Sequence, residues 1–279
     1  MPMNHQRILT MQDISCVGQC SMTVALPILT LCGMETCILP SAVLSTHTGG
    51  FGKPAIQSLT EFIPNATSHW NAQGISFQAF YTGYLGSVAL IDQAMGIGRS
   101  IVSAGGKLIA DPAMADHGKL YSGFDDSYVQ AMTKLCSMAD VILPNLTESC
   151  LLTNTAYSDH YDEHFIRQLL EKLHQLGAKS IVLTGIGYTP GYTGVVVSQD
   201  GQIAHYEHPL LSRSFHGTGD IFAAAFTGCY LSGRSMEESA AIAADFALEC
   251  IQVTEDDASH WYGTKLHCAL PLLAKRLYG

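Results

Sequence analysis

Acidic side chains placed directly after or before apolar runs are the residues of this sequence best suited to chemistry. His216-Gly217-Thr218-Gly219-Asp220 stands immediately before the apolar run Ile221 to Tyr230. Glycines let main-chain N–H groups approach a ligand closely, and a helix start leaves N–H groups unpaired. The pentapeptide therefore suits a phosphate or a developing oxyanion, with Asp220 beside it. Taken alone, it also reads as a glycine turn followed by an acid that complements the helix dipole. Two further stations follow other apolar runs: Asp111-Pro112 after Leu108 to Ala110, and Asn145-Leu146-Thr147-Glu148 after Val141 to Leu143. Oxygen ligands at Asp111 and Glu148 suit Mg²⁺ bridging phosphate oxygens, directly or through water. Each has a structural alternative, since Asp111 can cap a turn before Pro112 and Asn145 can cap a helix with Glu148 as its third residue.

The elements that must position these residues alternate between short β-type runs and helical stretches, which predicts βαβ units and a mostly parallel sheet. Strands are read at Arg7 to Met11, Thr36 to Leu39, Phe77 to Tyr81, Lys107 to Ala110, Val141 to Leu143 and Ser180 to Leu183. Helices are read at Ser21 to Leu31, Val88 to Ser103, Asp126 to Met138 and Glu163 to Leu176. Gly185, Gly187, Pro190, Gly191 and Gly194 then precede two alternating runs, Val195 to Ser198 and Gln202 to Tyr206, which form a hairpin through Asp200-Gly201. Gly219 to Gly233, Met236 to Val253 and Lys265 to Leu277 are helical by apolar spacing. Ser45 to Lys53 is a functional loop, and residues 1–279 are read as one domain.

The chain has 279 residues, 14 basic and 24 acidic, a formal net charge of −10 that opposes binding to nucleic acid or anionic membrane. No apolar run approaches the ~20 residues of a membrane span. Met1 to Thr10 carries Asn4, His5, Gln6 and Arg7 rather than a leader, so the expectation is a cytoplasmic protein. The nine cysteines, with no Cys-x-x-Cys pair, are expected to be reduced thiols.

With the acidic stations and the glycine turn in place, the chain resembles the ribokinase-like superfamily of small-molecule kinases, and within it the pyridoxal (vitamin B6) kinase branch. Thr82-Gly83-Tyr84-Leu85-Gly86-Ser87 is similar to that branch's Gly-Tyr-Leu/Val-Gly-Ser segment, and Ser45-Thr46-His47-Thr48 to its substrate-side loop. Asp111-Pro112 and Asn145-x-x-Glu148 are similar to its Mg-ATP positions, and Gly217-Thr218-Gly219-Asp220 to its anion hole and base. The resemblance implies a three-layer α/β/α fold with a central, mostly parallel sheet and a small lid. It implies a homodimer, with ATP, Mg²⁺ and often K⁺ as cofactors.

By that resemblance Asp220 takes the proton from the 5′-hydroxymethyl group of a B6 vitamer (pyridoxal, pyridoxamine or pyridoxine), and Gly217, Thr218 and Gly219 hold the transferring phosphoryl. Asp13, Thr48 and Tyr84 line the vitamer pocket, with Val17 and His47 close by. Asp111, Asn145, Glu148, Thr184 and Gly185 lie on the nucleotide side, as does the glycine-rich stretch to Gly194. The enzymatic alternative is a hydroxymethylpyrimidine kinase of the same fold; a catalytically silent vitamer-binding protein is the other. Ser214 stands where many superfamily members have an Asp, and Asp13 where some pyridoxal kinases have Ser.

Other clusters carry less. His160 and His164 could share a helix face, but no third metal ligand stands nearby, and His205 and His208 read as surface residues. Cys16 and Cys20 have no adjacent base. Gly49-Gly50-Phe51-Gly52-Lys53 is too compact for a P-loop, and Gly18-Gln19-Cys20 is not a dinucleotide fingerprint.

Overall fold

The computed structural model describes residues 7–279; the reading of the amino terminus as lacking a leader falls largely on residues 1–6, outside the described residues. In chain order the elements are β1 (Arg7–Ser15), α1 (Met22–Leu31), β2 (Glu35–Leu44), β3 (Ile56–Ser58), α2 (Phe62–Ala72), β4 (Ala79–Thr82), α3 (Val88–Ser103) and β5 (Lys107–Ala110). A short hairpin of β6 (Ala115–Asp116) and β7 (Lys119–Leu120) leads to α4 (Asp126–Ser137), β8 (Val141–Ile142), α5 (Leu146–Leu152) and α6 (Glu163–Gln175). The chain ends with β9 (Ser180–Thr184), β10 (Tyr192–Gln199), β11 (Gln202–Pro209), α7 (Thr218–Leu231), α8 (Met236–Glu255) and α9 (Leu266–Tyr278).

Nine strands form one sheet in the order β11-β10-β9-β8-β5-β4-β1-β2-β3. The six from β9 to β2 run parallel, and antiparallel pairs close the two edges. The central strands bury both faces, which is why β4 (AFYT) and β9 (SIVLT) read as continuous apolar runs rather than alternating ones. One core cluster packs α3, α4 and α6 on one face, and a second packs α1, α7, α8 and α9 on the other. The result is the expected three-layer α/β/α arrangement. The turn at Asp200-Gly201 has φ of 51° and 75°, the positive pair that a tight two-residue hairpin demands.

Strand β1 has β2 on one side and β4 on the other, so successive connections leave it in opposite directions. A crevice opens outside the carboxyl ends at such a reversal, and Asp13, Tyr84, Asp111, Asn145 and Thr184 all lie at or just past strand ends there. Several short or weakly patterned elements go beyond the bounds read from the sequence. α2 (FIPNATSHWNA) carries Pro64 and several weak helix formers and buries only Ile63 and Ala66, so it shows little apolar spacing. β3 is exposed throughout, β6 and β7 have two residues each, and α5 has seven. β1 continues past Met11 through Gln12, Asp13 and Ser15, all buried, with an irregularity between Gln12 and Ile14. Its polar end conceals the strand from an apolar-pattern reading.

Helix α7 is the central packing element on its face. Residues Ile221 to Cys229 are all buried, and Phe226 stacks between Phe222 and Tyr230 with centroids 6.4 and 5.8 Å apart. Phe226→Ala is expected to cost about 3–5 kcal/mol in urea unfolding, the range for a large buried aromatic. A loss below about 1 kcal/mol would mean that this face repacks freely around the missing ring.

Candidate active site

Gly217 caps α7 in the left-handed region at φ 85°, and a Cβ there would sit 2.6 Å from the Gln19 carbonyl oxygen. Only glycine fits both demands. Thr218, Gly219 and Asp220 are then the first three helical residues, and Ile221 N–H makes the first intrahelical bond, to Gly217 O at 3.0 Å. The preceding N–H groups have no intrahelical carbonyl within reach, and they face a cleft of about 400 Å³. The Thr218 hydroxyl donates back to Phe215 O at 3.1 Å, which ties the turn to the preceding loop.

Asp111, Asn145, Glu148, Thr184, Gly185 and Gly217 to Asp220 all line this cleft. Its other wall is apolar and small-residue rich, with Phe222, Ala244, Ala247, Leu248 and Ile251 from α7 and α8. Such a flank suits a flat heterocycle, and the helix start beyond it suits phosphates.

The electrostatics are lopsided. Asp111, Asp116, Glu148 and Asp220 line the cleft, and no Lys or Arg does. Burial pushes the Asp220 carboxyl up to about 6, reinforced by Asp13 and opposed by the Ser21 N–H. Burial pushes Glu148 up to about 7 against three main-chain N–H donors, and pushes Asp111 well above the usual carboxylate range, with Glu148 and Asp220 adding to it. The Tyr121 hydroxyl is raised as well, by burial and by the same carboxylates.

Asn145 and Glu148 do form a capping box, so the structural alternative holds: Asn145 Oδ1 accepts Glu148 N–H and Glu148 Oε2 accepts Asn145 N–H, both at 2.9 Å. Glu148 Oε1 accepts Met114 N–H at 3.0 Å and Ala115 N–H at 3.4 Å, while Asn145 Nδ2 donates to Ala115 O at 2.8 Å. Glu148 thus anchors the β6–β7 hairpin, whose neighbours Asp116 and Tyr121 line the cleft. Both oxygens are engaged by main-chain donors, and the lone pairs they retain could meet a cation directly or through water. Among the described residues no group of three or more His, Cys, Asp or Glu is arranged to hold a metal ion. The donor set therefore fits a divalent cation shared with phosphate oxygens, not an all-protein cage.

The residues expected around a second substrate lie beyond Asp220, outside that cleft lining. Asp13 is buried, accepts the Ser15 hydroxyl at 3.0 Å, and is raised by burial, with the Ser21 and Ser15 hydroxyls and His47 opposing. Tyr84 is raised by burial and by Asp13, and it stacks on Phe124 at 5.5 Å. Val17 is 49% exposed and Thr48 is exposed. His47 differs from a free ligand-binding imidazole. Its Nδ1 accepts Gly49 N–H at 3.0 Å, which makes Nε2–H the donor to Tyr262 O at 2.5 Å. His47 therefore offers this site a ring wall, and it bolts the 45–53 loop to the segment before α9.

Several cleft residues carry no local signal in the sequence. His208, read as a surface residue, lines the cleft, as do Thr193 and Phe215. Phe51 packs on Trp261 and Tyr262 with centroids 4.8 and 5.7 Å apart, joining loops more than 200 residues apart in sequence. The alternating hairpin pattern could have placed His208 beside Thr193, its partner across β10 and β11.

The sequence model of the phosphomethylpyrimidine kinase family matches residues 37–264, and the chain belongs to that family. A Bacteroides thetaiotaomicron protein assigned to the phosphomethylpyrimidine kinases, in a crystal form with pyridoxal, is 31% identical with a TM-score of 0.91, covering 97% of this chain and 96% of its own. Pyridoxal kinase from Lactobacillus plantarum is 31% identical with a TM-score of 0.88 and 97% coverage of both chains. Pyridoxine kinase of Bacillus subtilis is 28% identical over 202 residues, 71% of this chain and 72% of its own. The fold is therefore ribokinase-like and the chain is a kinase of the phosphomethylpyrimidine and pyridoxal kinase group. Among the described residues no helix is long and apolar enough to cross a membrane.

The raised carboxyl of Asp220 has a thermodynamic consequence. Between the ordinary value of 3.8 and about 6, the folded chain holds a proton that the unfolded chain has released. That contribution to stability is complete below the lower value and is lost as pH rises through the upper one. At pH 8 Asp220→Asn is thus expected to melt higher than the parent, by an increment on the order of 1–3 kcal/mol that shrinks toward pH 4. A variant that melts lower at pH 8 would show that the helix dipole outweighs burial at this carboxyl.

Proposed function

We propose that this member of the phosphomethylpyrimidine kinase family transfers the γ-phosphoryl group of ATP to the 5′-hydroxymethyl group of a B6 vitamer, yielding the 5′-phosphate and ADP. One observation carries the reading: Asp220 lines the cleft beside its own helix start and also feels the charge of Asp13, which in turn acts on Tyr84. A carboxylate whose basicity is raised to about 6 accepts a hydroxyl proton more readily than an ordinary Asp while staying ionised at neutral pH. The hydroxymethyl oxygen attacks the γ-phosphorus as its proton passes to Asp220, and the bond to the β-phosphate bridging oxygen breaks, releasing ADP. Main-chain N–H groups of Gly217 to Gly219 stabilise the charge on the transferring phosphoryl, so positioning supplies most of the rate. Asp111, with Glu148 acting directly or through water, would hold Mg²⁺, which neutralises phosphate charge in a cleft that has no Lys or Arg of its own. The reading includes a K⁺ requirement, a homodimer, and a salvage role in a cytoplasmic setting.

The family's description favours a second reading, a hydroxymethylpyrimidine kinase acting through the same residues. Both substrates are hydroxymethylated heteroaromatics, and a buried carboxylate at Asp13 suits a donor on either ring. ADP production measured against pyridoxal, pyridoxamine, pyridoxine and hydroxymethylpyrimidine separates the two. Turnover confined to the pyrimidine would sink the B6 assignment. Turnover of none, with binding retained, would favour the silent binding protein.

Two variants sharpen the test. Asp220→Asn is expected to lose about 10²–10⁴ in turnover while binding ATP normally, because it keeps the side chain's shape but cannot take the proton. Near-normal phosphorylation would remove the base assignment. Asp13→Ser is expected to lower the ratio of pyridoxamine to pyridoxal kcat/KM, since it removes the charge that favours a cationic 4′ substituent. An unmoved ratio would make Asp13 a structural residue of the β1 end.

A further inference from the structure

The segment from Gly185 to Gly191 holds three glycines in seven residues, a composition that loses much chain entropy when ordered. Its first residue lines the cleft, and so do Thr193 and Gly194 on the strand that follows it. Yet the segment is held from two sides. Tyr161 Oη accepts Gly187 N–H at 3.1 Å and lies 3.4 Å from Gly185 O. From β11, the Glu207 carboxylate takes three donors. Its Oε1 accepts the N–H groups of Tyr188 and of Thr189, the latter at 3.1 Å, and its Oε2 accepts the Thr189 hydroxyl at 2.7 Å. The main chain then closes the base, with Gly185 N–H and Ile186 N–H both donating to Gly194 O at 2.9 and 3.1 Å.

We infer that Glu207 is a positioning residue for nucleotide binding: it fixes the Gly185–Gly191 segment, and so the placement of the cleft-lining Gly185, Thr193 and Gly194 at its two ends, before a nucleotide arrives. This rests on the reading of that cleft as the nucleotide site. The Glu207 side chain touches no cleft lining itself and acts through Tyr188 and Thr189. Its charge is secure at neutral pH, because the Thr189 hydroxyl and the Tyr188 N–H hold it below the usual carboxylate range and His205 faces it at 3.7 Å. A carboxylate accepting several N–H and O–H donors makes stronger bonds than a neutral acceptor. Ordering the loop in advance removes an entropic cost that ATP would otherwise meet on binding.

The test is ATP affinity by titration without any heterocycle, together with KM and kcat for both substrates and hydrogen exchange at Tyr188 and Thr189. Glu207→Gln is expected to weaken ATP binding about tenfold and raise the KM for ATP by the same factor, the scale of one lost charge-assisted bond. kcat at saturating ATP and KM for the heterocycle should stay within about twofold, a split that general destabilisation would not give. Exchange at the two amides should quicken in the free variant and slow again with ATP. Thr189→Val provides a milder variant should Glu207→Gln fold poorly, and the double variant should lose less ATP affinity than the two losses combined. Unchanged ATP affinity despite faster exchange would overturn the inference, as would parallel losses in kcat and heterocycle KM or strictly additive effects. Because affinity is read without a heterocycle, an error about the B6 vitamer leaves this result intact, and failure here leaves the parent's turnover intact.

Discussion

Four carboxylates, Asp111, Asp116, Glu148 and Asp220, share a cleft with no Lys or Arg in its lining, and the rest of the site follows from that imbalance. No side-chain cation there could attract a phosphate, so on the reading proposed above the donors would be main-chain N–H groups at the start of α7. Those groups are usable only because Gly217 takes a left-handed turn against the Gln19 carbonyl, where any Cβ would collide. An exogenous cation shared with phosphate would offset the remaining repulsion. Burial raises the basicity of Asp220, against the Ser21 N–H and with the charge of Asp13 adding to it.

Acidic residues also do mechanical work. Glu148 completes a capping box on α5 and ties down the hairpin that brings Asp116 and Tyr121 to the cleft. Glu207 does the corresponding work for the glycine-rich segment that runs from the cleft-lining Gly185 to Thr193 and Gly194. His47 completes the pattern by using both ring nitrogens on main-chain groups, one in its own loop and one beside Trp261. In each case a polar side chain satisfies main-chain groups of a loop or short hairpin that the main sheet leaves unpaired.

The parallel sheet was legible because buried strands such as β4 and β9 are uninterrupted apolar runs, and the helices α3, α4 and α6 because their apolar stripes are regular. That Asp111, Asn145, Glu148, Thr184 and Gly185 share one cleft was legible for a related reason: polar groups abruptly ending an apolar run mark a strand end that opens into a crevice. What escaped lacks any local pattern. α2 buries two residues, β3 buries none, and the Phe51 contact with Trp261 joins segments unrelated in sequence. The end of β1 escaped because its buried residues, Gln12, Asp13 and Ser15, are polar, and burial of polar residues at a strand end is what a site requires. The same cause explains His208, whose neighbour Thr193 is set by pairing across the sheet edge.

The two halves of the site are built from different material. The half proposed for the nucleotide uses strand ends, the first turn of α7 and the packed face of α8, all anchored in a close-packed core. The other half uses loops after β1, β2 and β4, with Val17 and Thr48 exposed and Asp13 buried beneath them. Helix α7 belongs to both, because Asp220 faces the phosphate side while feeling the charge of Asp13. If those loops bind the heterocycle, as proposed above, substitutions in them would change which one is accepted without disturbing the helix start, whereas changes along α7 disturb its packing as well. On the reading proposed above, the choice between a pyridine and a pyrimidine substrate would fall to the β1 end and its loops, around Asp13.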